Sequence, residues 1–156
     1  MTGWPYPLPA TDPDFDRDIL ARTLWGESRS EGRKGMEAVA SVILNRLAKP
    51  GWWSRNRDDG VPDDTIAAVC LDPWQFSCWN KNDPNRVKML AVTEADAEFS
   101  MARDVAAQAI ASTFPDPTGG ACHYKTVGLA WPASWGPVRP EPDYVCGRHE
   151  FYRGIA

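Results

Sequence analysis

The segment GMEAVASVILNRLAKPG, residues 35–51, constrains this chain more than any other. Met36, Val39, Ala40, Ile43 and Leu47 recur at intervals of three and four, which places them on one stripe of an α-helix. Pro50-Gly51 then stops the pattern. An apolar stripe of this length has to be covered, so the segment is expected as a buried central helix. A chain of 156 residues, 43% of them apolar, supplies a single domain that buries about two thirds of its unfolded surface.

Other elements can be placed around that helix. Residues 1–13 are rich in proline and are expected as an extended N-terminal arm, leaving residues 14–156 as one domain. Phe15, Ile19, Leu20 and Leu24 have helical spacing, with Asp14 or Asp16 as cap and Gly26 as the point where this first helix ends or bends. WWSRNRDDGVPDD, beginning at Trp52 and Trp53, reads as a polar loop. DDTIAAVCL reads as a short helix capped by Asp63 or Asp64, and WQFSCW, residues 74–79, as an aromatic strand. A further helix is expected from Thr93, with Thr93 and Asp96 as an approximate capping box, until Pro115. ACHYKT and GRHEFYR are strand-like and are separated by a loop dense in proline and glycine. The expected architecture is α+β, mainly helical, with a small antiparallel sheet lining a cleft.

Composition excludes several classes. A net charge of −4 and a pI near 5.1 give no general attraction for nucleic acid or an anionic membrane. No apolar run reaches the roughly 20 residues of a membrane helix, and the first residues lack the blocks of a secretory signal, so no stable membrane insertion is expected. Cys70, Cys78, Cys122 and Cys146 are too widely spaced for a typical zinc site, and no metal or other cofactor is expected. In an oxidising compartment the expected disulfides are Cys70–Cys78 and Cys122–Cys146.

The chemistry-bearing candidates begin with LWGESRSEG, residues 24–32. A carboxylic acid against a hydrophobic wall keeps its proton and serves as a general acid. Glu27, following Trp25 and Gly26, is placed for that role. The competing reading makes Glu27 and Glu31 solvated charges paired with Arg29, Arg33 or Lys34. If the helix continued, the two glutamates would share a face about 6 Å apart along the axis, pointing in parallel and unable to flank a bond. Glu31 is therefore expected as support for the helix end, paired with Arg22, Arg29 or Arg46. His123 and His149 have no metalloprotease spacing. Cys122-His123 alternate across a strand and cannot form a dyad, although Cys122 with His149 remains open in space. No Walker loop, G-x-S-x-G elbow or dinucleotide fingerprint is present.

Residues 20–46, LARTLWGESRSEGRKGMEAVASVILNR, closely resemble the opening motif of the SleB-like cell wall hydrolases, with Ala21-Arg22, Gly26-Glu27, Arg29, Glu31 and Leu44-Asn45-Arg46 in register. PWQFSCW (73–79), DPTGGACHY (116–124) and GRHEFYR (147–153) resemble three later blocks of that family in the same order. Ser30 departs from a glycine common there, and the loop bearing Trp52 and Trp53 looks lineage-specific.

The resemblance implies a lysozyme-like fold and cleavage of the β-1,4 bond between N-acetylmuramic acid and N-acetylglucosamine, with Glu27 as the catalytic acid/base of a lytic transglycosylase. The substrate's own 6-hydroxyl is then the nucleophile, and no second catalytic carboxylate is needed. Glu31 and Arg29 become supporting residues. Gln75, Ser77, Tyr124, His149, Tyr152, Trp52 and Trp53 become candidate substrate contacts. The implied partner is the peptidoglycan glycan strand, met by a monomer of phage or prophage type that is made in the host cytoplasm without a signal peptide and reaches the wall with the help of a holin or another route. Three rivals stand beside this reading: a hydrolytic muramidase, a non-catalytic peptidoglycan-binding module and a cysteine-dependent amidase through Cys122.

Overall fold

The computed structural model describes residues 13–49, 65–72 and 75–155. Five α-helices are described: α1 (Pro13–Ser28), α2 (Gly32–Leu47), α3 (Ile66–Leu71), α4 (Asn85–Ala91) and α5 (Ala97–Ile110). Strands β1 (His123–Thr126), β2 (Tyr144–Cys146) and β3 (His149–Tyr152) follow, and short 3-10 turns lie at Arg29–Glu31, Ser77–Trp79 and Ala133–Trp135. The expected mixture of helices with a small antiparallel sheet is observed. The expected arm, the loop with Trp52 and Trp53, and the caps Asp63 and Asp64 lie outside the described residues.

The core is helical. Ile19, Leu20 and Leu24 of α1, Met36, Val39, Val42 and Ile43 of α2, and Phe99, Val105 and Ala106 of α5 are all buried, and α1 and α2 both pack against α5. Each large aliphatic side chain in this cluster contributes about 1.5–3 kcal/mol by leaving water. The central helix is thus as its spacing predicts. Helix α1 differs from expectation at both ends: it begins at Pro13, a residue suited to the first helical position, and it runs through Gly26 to Ser28. Asp16 lies in its first turn, where its Oδ1 accepts the Ala67 N–H at 2.9 Å and fastens α3 to α1. Thr65 is the cap of α3, its hydroxyl accepting the Ala68 N–H at 3.0 Å.

Three further expectations are corrected. The strand expected for WQFSCW is not observed over residues 75–79, where Ser77–Trp79 is a 3-10 turn. The alternation that resembles a strand is real, with Phe76 and Cys78 buried and Gln75 and Ser77 exposed, but among the described residues no strand pairs with it. The helix expected from Thr93 starts at Ala97, because Asp96 is the N-cap and accepts the Phe99 N–H at 2.9 Å. Helix α4 and strand β2 were not expected. All four cysteines are free thiols.

The sheet has the order β1-β3-β2, antiparallel throughout. Gly147 and Arg148 join β2 to β3 below the Cys146–His149 pair. Gly147 has a φ of 56° while Arg148 does not share the positive angle, the pattern of a two-residue hairpin turn that wants glycine first. The register divides the side chains. Tyr124, Thr126, Tyr144, Cys146, His149 and Phe151 share one face. His123, Lys125, Val145, Glu150 and Tyr152 share the other, which is covered by Trp131, Trp135 and Arg139 from the β1–β2 connection. Among the described residues no helix is long and apolar enough to cross a membrane.

Candidate active site

Glu27 lies in the last turn of α1, and Gly26 explains how that turn comes close to its neighbours. A Cβ on Gly26 would stand 2.7 Å from Cys78 Cβ, 2.8 Å from Cys78 Sγ and 3.2 Å from Met89 Sδ. Glycine is required there by close approach, and it does not end the helix. One residue beyond Glu27, Ser28 donates its hydroxyl to the Leu24 carbonyl at 2.9 Å. The backbone then tightens into the 3-10 turn and swings at Gly32, whose φ is 71° and with which α2 begins. The two glutamates are therefore not stacked on one continuous helix and take different partners.

The partner of Glu27 is Tyr124, presented by β1. Two neighbouring residues at the end of α2 hold the segment that leads into that strand. Asn45 Nδ2 donates to Asp116 Oδ2 at 2.8 Å and to the Ala121 carbonyl at 2.9 Å. Asp116 in turn accepts from the Thr118 N–H, the Thr118 hydroxyl and the Gly120 N–H at 2.7, 2.7 and 2.8 Å. Arg46, 6% exposed, donates from Nε to the Cys122 carbonyl at 2.8 Å and from Nη1 to Gln75 Oε1 at 3.3 Å, with its guanidinium over the Phe76 ring. The Asn-Arg pair and the DPTGGA segment thus form one clamp that sets where β1 starts. Tyr124 follows two residues after the clamped Cys122.

Tyr124 Oη donates to Glu27 Oε1 at 2.6 Å. Burial, and then the negative charge of Glu27, push the phenol well above its ordinary range, so it remains a donor at any working pH. The Cys78 thiol is a second side-chain hydrogen-bond partner of the Glu27 carboxylate, and among the described residues no cation pairs with it. Cys78 lies nearby, and burial together with Glu27 raises its thiol well above the usual value, keeping it protonated. His149 adds its ring edge against Tyr124, with centroids 4.9 Å apart. The hydrophobic wall expected from Trp25 is not what surrounds Glu27. Trp25 turns the other way, donating from Nε1 to Asp96 Oδ1 at 3.1 Å and carrying the Arg29 guanidinium on its ring.

Glu31 reaches the sheet separately. Its Oε2 accepts the Arg148 N–H at 3.2 Å, and a Cβ on Gly147 would collide with that oxygen. The expected pairing of Glu31 with Arg22 or Arg29 is corrected: Arg22 binds Asp18 and the carbonyls of Met89, Leu90 and Val92, and Arg29 binds the Trp25 carbonyl and Asn85 Oδ1. Arg29 thus ties α1 to α4 and does not touch Glu27. Arg33 pairs with Asp104 at 2.7 Å. The reading of both glutamates as solvated partners of Arg29 and Arg33 therefore finds no support in the geometry.

The remaining candidates divide. Gln75 and Ser77 are exposed, Gln75 being held by Arg46. Tyr152 does not join Glu27: it is wholly buried on the opposite sheet face, packed edge-on against Trp131. A Cys122–His149 dyad is also excluded. His149 pairs with Thr126, at the far end of β1 from Cys122, which is about 13 Å along the strand. Trp52 and Trp53 lie outside the described residues. Arg46, Asn45 and Cys78 hold or adjoin the site. The first two stood in the sequence as one motif with Leu44, and Cys78 stood beside Ser77 within another. Among the described residues no three His, Cys, Asp or Glu side chains converge as a metal site.

This arrangement is one half-buried carboxylate, braced by a buried phenol, on a helical core joined to a three-stranded sheet. A carboxylate presented in this way suits the catalytic domain of an enzyme. Residues 30–152 match the Cell Wall Hydrolase family, and the chain belongs to that family. It is similar to the spore cortex-lytic enzyme of Halalkalibacterium halodurans, 29% identical over 92% of this chain and 36% of the relative. It is also similar to that of Oceanobacillus iheyensis, 27% identical over 87% of this chain and 41% of the relative. The chain thus spans less than half the length of these curated relatives. Among solved structures, the catalytic domain of the Bacillus cereus SleB protein superposes with a TM-score of 0.63 at 26% identity, covering 97% of this chain and 99% of that one. The catalytic domain of the germination-specific lytic transglycosylase SleB from Bacillus anthracis gives 0.59 at 26% identity, covering 94% of this chain and all of the other.

Proposed function

We propose that residues 14–156 form one lysozyme-like catalytic domain that cleaves the β-1,4 bond between N-acetylmuramic acid and N-acetylglucosamine in peptidoglycan, as a lytic transglycosylase with Glu27 as its single acid/base. The observation that carries this reading is the 2.6 Å bond from Tyr124 to Glu27 Oε1. It fixes the orientation of the carboxyl group that exchanges the proton. In the first step Glu27, protonated, gives its proton to the glycosidic oxygen as the bond from that oxygen to the muramic C1 breaks. In the second the resulting carboxylate takes the proton of the muramic 6-hydroxyl, whose oxygen bonds to C1 and closes the 1,6-anhydro ring. The engagement of Glu31 with the Arg148 N–H supports a mechanism in which Glu31 holds the hairpin turn and is not a second catalytic carboxylate. Gln75, Ser77 and His149 stand as saccharide contacts on this reading, with Trp52 and Trp53 as stacking residues. The cell wall is the place of action.

The test is digestion of purified sacculi by the chain and by Glu27→Gln, with mass analysis of the products. The expected outcome is 1,6-anhydro-muramic ends from the first and a loss of lysis of about 10²–10⁴-fold in the second, with pulldown on sacculi retained. Reducing muramic ends would instead assign a hydrolytic muramidase. Undiminished lysis by Glu27→Gln would remove the acid/base role.

A further inference from the structure

We propose that His149 is a specificity-determining residue for N-acetylated saccharide, donating from Nε2 to the carbonyl oxygen of a sugar acetamido group beside Glu27. The proposal rests on the assignment of Glu27 made above. The His149 residue is 9% exposed. Its ring is fixed on two sides, edge-on to Tyr124 at 4.9 Å and 65° and to Phe151 at 6.2 Å and 86°. On the pairing ladder it stands between Thr126 of β1 and Cys146 of β2. Among the described residues neither ring nitrogen has a hydrogen-bond partner, and the two differ in access: Nδ1 is enclosed, while Nε2 is not.

The ring is packed in place and its open nitrogen, Nε2, has no protein partner, so Nε2 is the atom at which a ligand can bond. Its chemistry follows from the surroundings. Burial lowers the imidazole pKa against the opposing pull of Glu31 and then Glu27, which leaves the ring uncharged at neutral pH with a single N–H. An enclosed N–H without an acceptor is rarer than an enclosed lone pair without a donor, which puts the proton on Nε2. The ligand therefore offers an acceptor. The Glu31 carboxylate, which acts on this ring more strongly than Glu27 does, disfavours an anion there. A neutral oxygen remains, and the acetamido carbonyl is the strong neutral acceptor on an amino sugar.

The test is calorimetric titration of glycan strands, native and de-N-acetylated, into proteins carrying Glu27→Gln so that no strand is cut. In that background His149→Phe keeps the aromatic contacts and removes both nitrogens. It is expected to weaken binding of the acetylated strand about tenfold, the cost of one net hydrogen bond, and to leave binding of the de-N-acetylated strand within about twofold. His149→Gln, whose amide reaches the Nε2 position, is expected to restore most of the affinity, and His149→Asn, which reaches only the Nδ1 position, to restore none. Should His149→Phe lose its fold, the Gln and Asn pair decides the matter. Equal affinities for Gln and Asn, an unchanged affinity for Phe, or equal losses on both strands would overturn the proposal. Lysis by Glu27→Gln would overturn the acid/base reading and the proposal with it, whereas any of those affinity results without lysis would overturn the proposal alone.

Discussion

Tyr124 and Glu27 are 97 positions apart and share a 2.6 Å hydrogen bond that joins the first strand of the sheet to the last turn of the first helix. The donor cannot become an acceptor at working pH, because burial and the neighbouring carboxylate hold the phenol proton in place. The bond therefore orients one oxygen of Glu27 permanently. Tyr124→Phe removes the hydroxyl and keeps the ring that packs on His149 and Phe151. Lysis is expected to fall about tenfold through kcat, with KM little changed, since about 1.4 kcal/mol of orientation is lost and the saccharide contacts remain. Steady-state kinetics on soluble glycan strands checks this, and a rise in KM alone would place Tyr124 among the substrate contacts.

The closeness of Gly26 to Cys78 gives a second expectation. A methyl group at position 26 would stand 2.7 Å from Cys78 Cβ and 2.8 Å from its sulfur. The 3-10 turn at Ser77–Trp79 would have to move off α1. Gly26→Ala is expected to cost about 1–3 kcal/mol of stability and to lower lysis as Cys78 shifts beside Glu27. In contrast, Cys78→Ala keeps the Cβ and is expected to retain the fold. Thermal unfolding of both variants beside their lytic rates checks the pair, and a Gly26→Ala protein as stable as the parent would contradict the geometry.

The clamp at the end of α2 predicts a third effect. Asn45→Ala leaves Asp116 Oδ2 and the Ala121 carbonyl each without one donor, at a cost of about 1–3 kcal/mol. For a chain of this size the midpoint of thermal unfolding falls by about 2–4 °C per kcal/mol. Because the clamp positions β1, activity is expected to fall more than stability accounts for. Lysis measured well below the unfolding transition separates the two, and activity unchanged there would detach the clamp from the site.

The helical core was legible in the sequence because α1 and α2 carry apolar residues at strict helical spacing. Helix α4 was not, since it buries one side chain, Met89, while Val87 is 75% exposed, and so has no stripe to detect. Strand β2 is three residues long and has Val145 53% exposed, which leaves no alternation to read. The misreading of WQFSCW has another cause: burial at every second residue records two contacts with the core, and a 3-10 turn satisfies them as well as a strand. Within the site, Glu27 was legible from its motif, and the partner of that glutamate was not. Pairing across 97 residues depends on the register of β1, which the Asn45 and Arg46 contacts set. Tyr152 was misplaced for a related reason, because one residue of register decides the face to which a strand residue points.

That opposite face carries the last prediction. His123 is buried there, its ring centroid 4.9 Å from that of Trp135 in an edge-to-face arrangement. Burial, followed by the charges of Arg46 and Lys49, lowers its pKa from 6.5 to about 4. In the unfolded chain the imidazole takes a proton near pH 6.5, and in the folded chain near pH 4. Between these values the unfolded state binds more protons, so stability rises with pH across the window and is lost as pH falls through it. Asp116 behaves differently. Burial raises its carboxyl, but the bonds from Asn45, Thr118 and Gly120 outweigh this and bring it below the ordinary value, so its contribution is lost only at lower pH. The unfolding midpoint is therefore expected to decline from about pH 6.5 downward, ahead of the carboxylate region near pH 4. His123→Phe is expected to flatten the upper part of that decline while leaving the part below pH 4, and His149, also lowered, accounts for what remains of the upper part. Calorimetry of the two proteins from pH 7.5 to 3.5 checks the assignment, and parallel curves would show that His123 takes up its proton in the folded chain as readily as in the unfolded one.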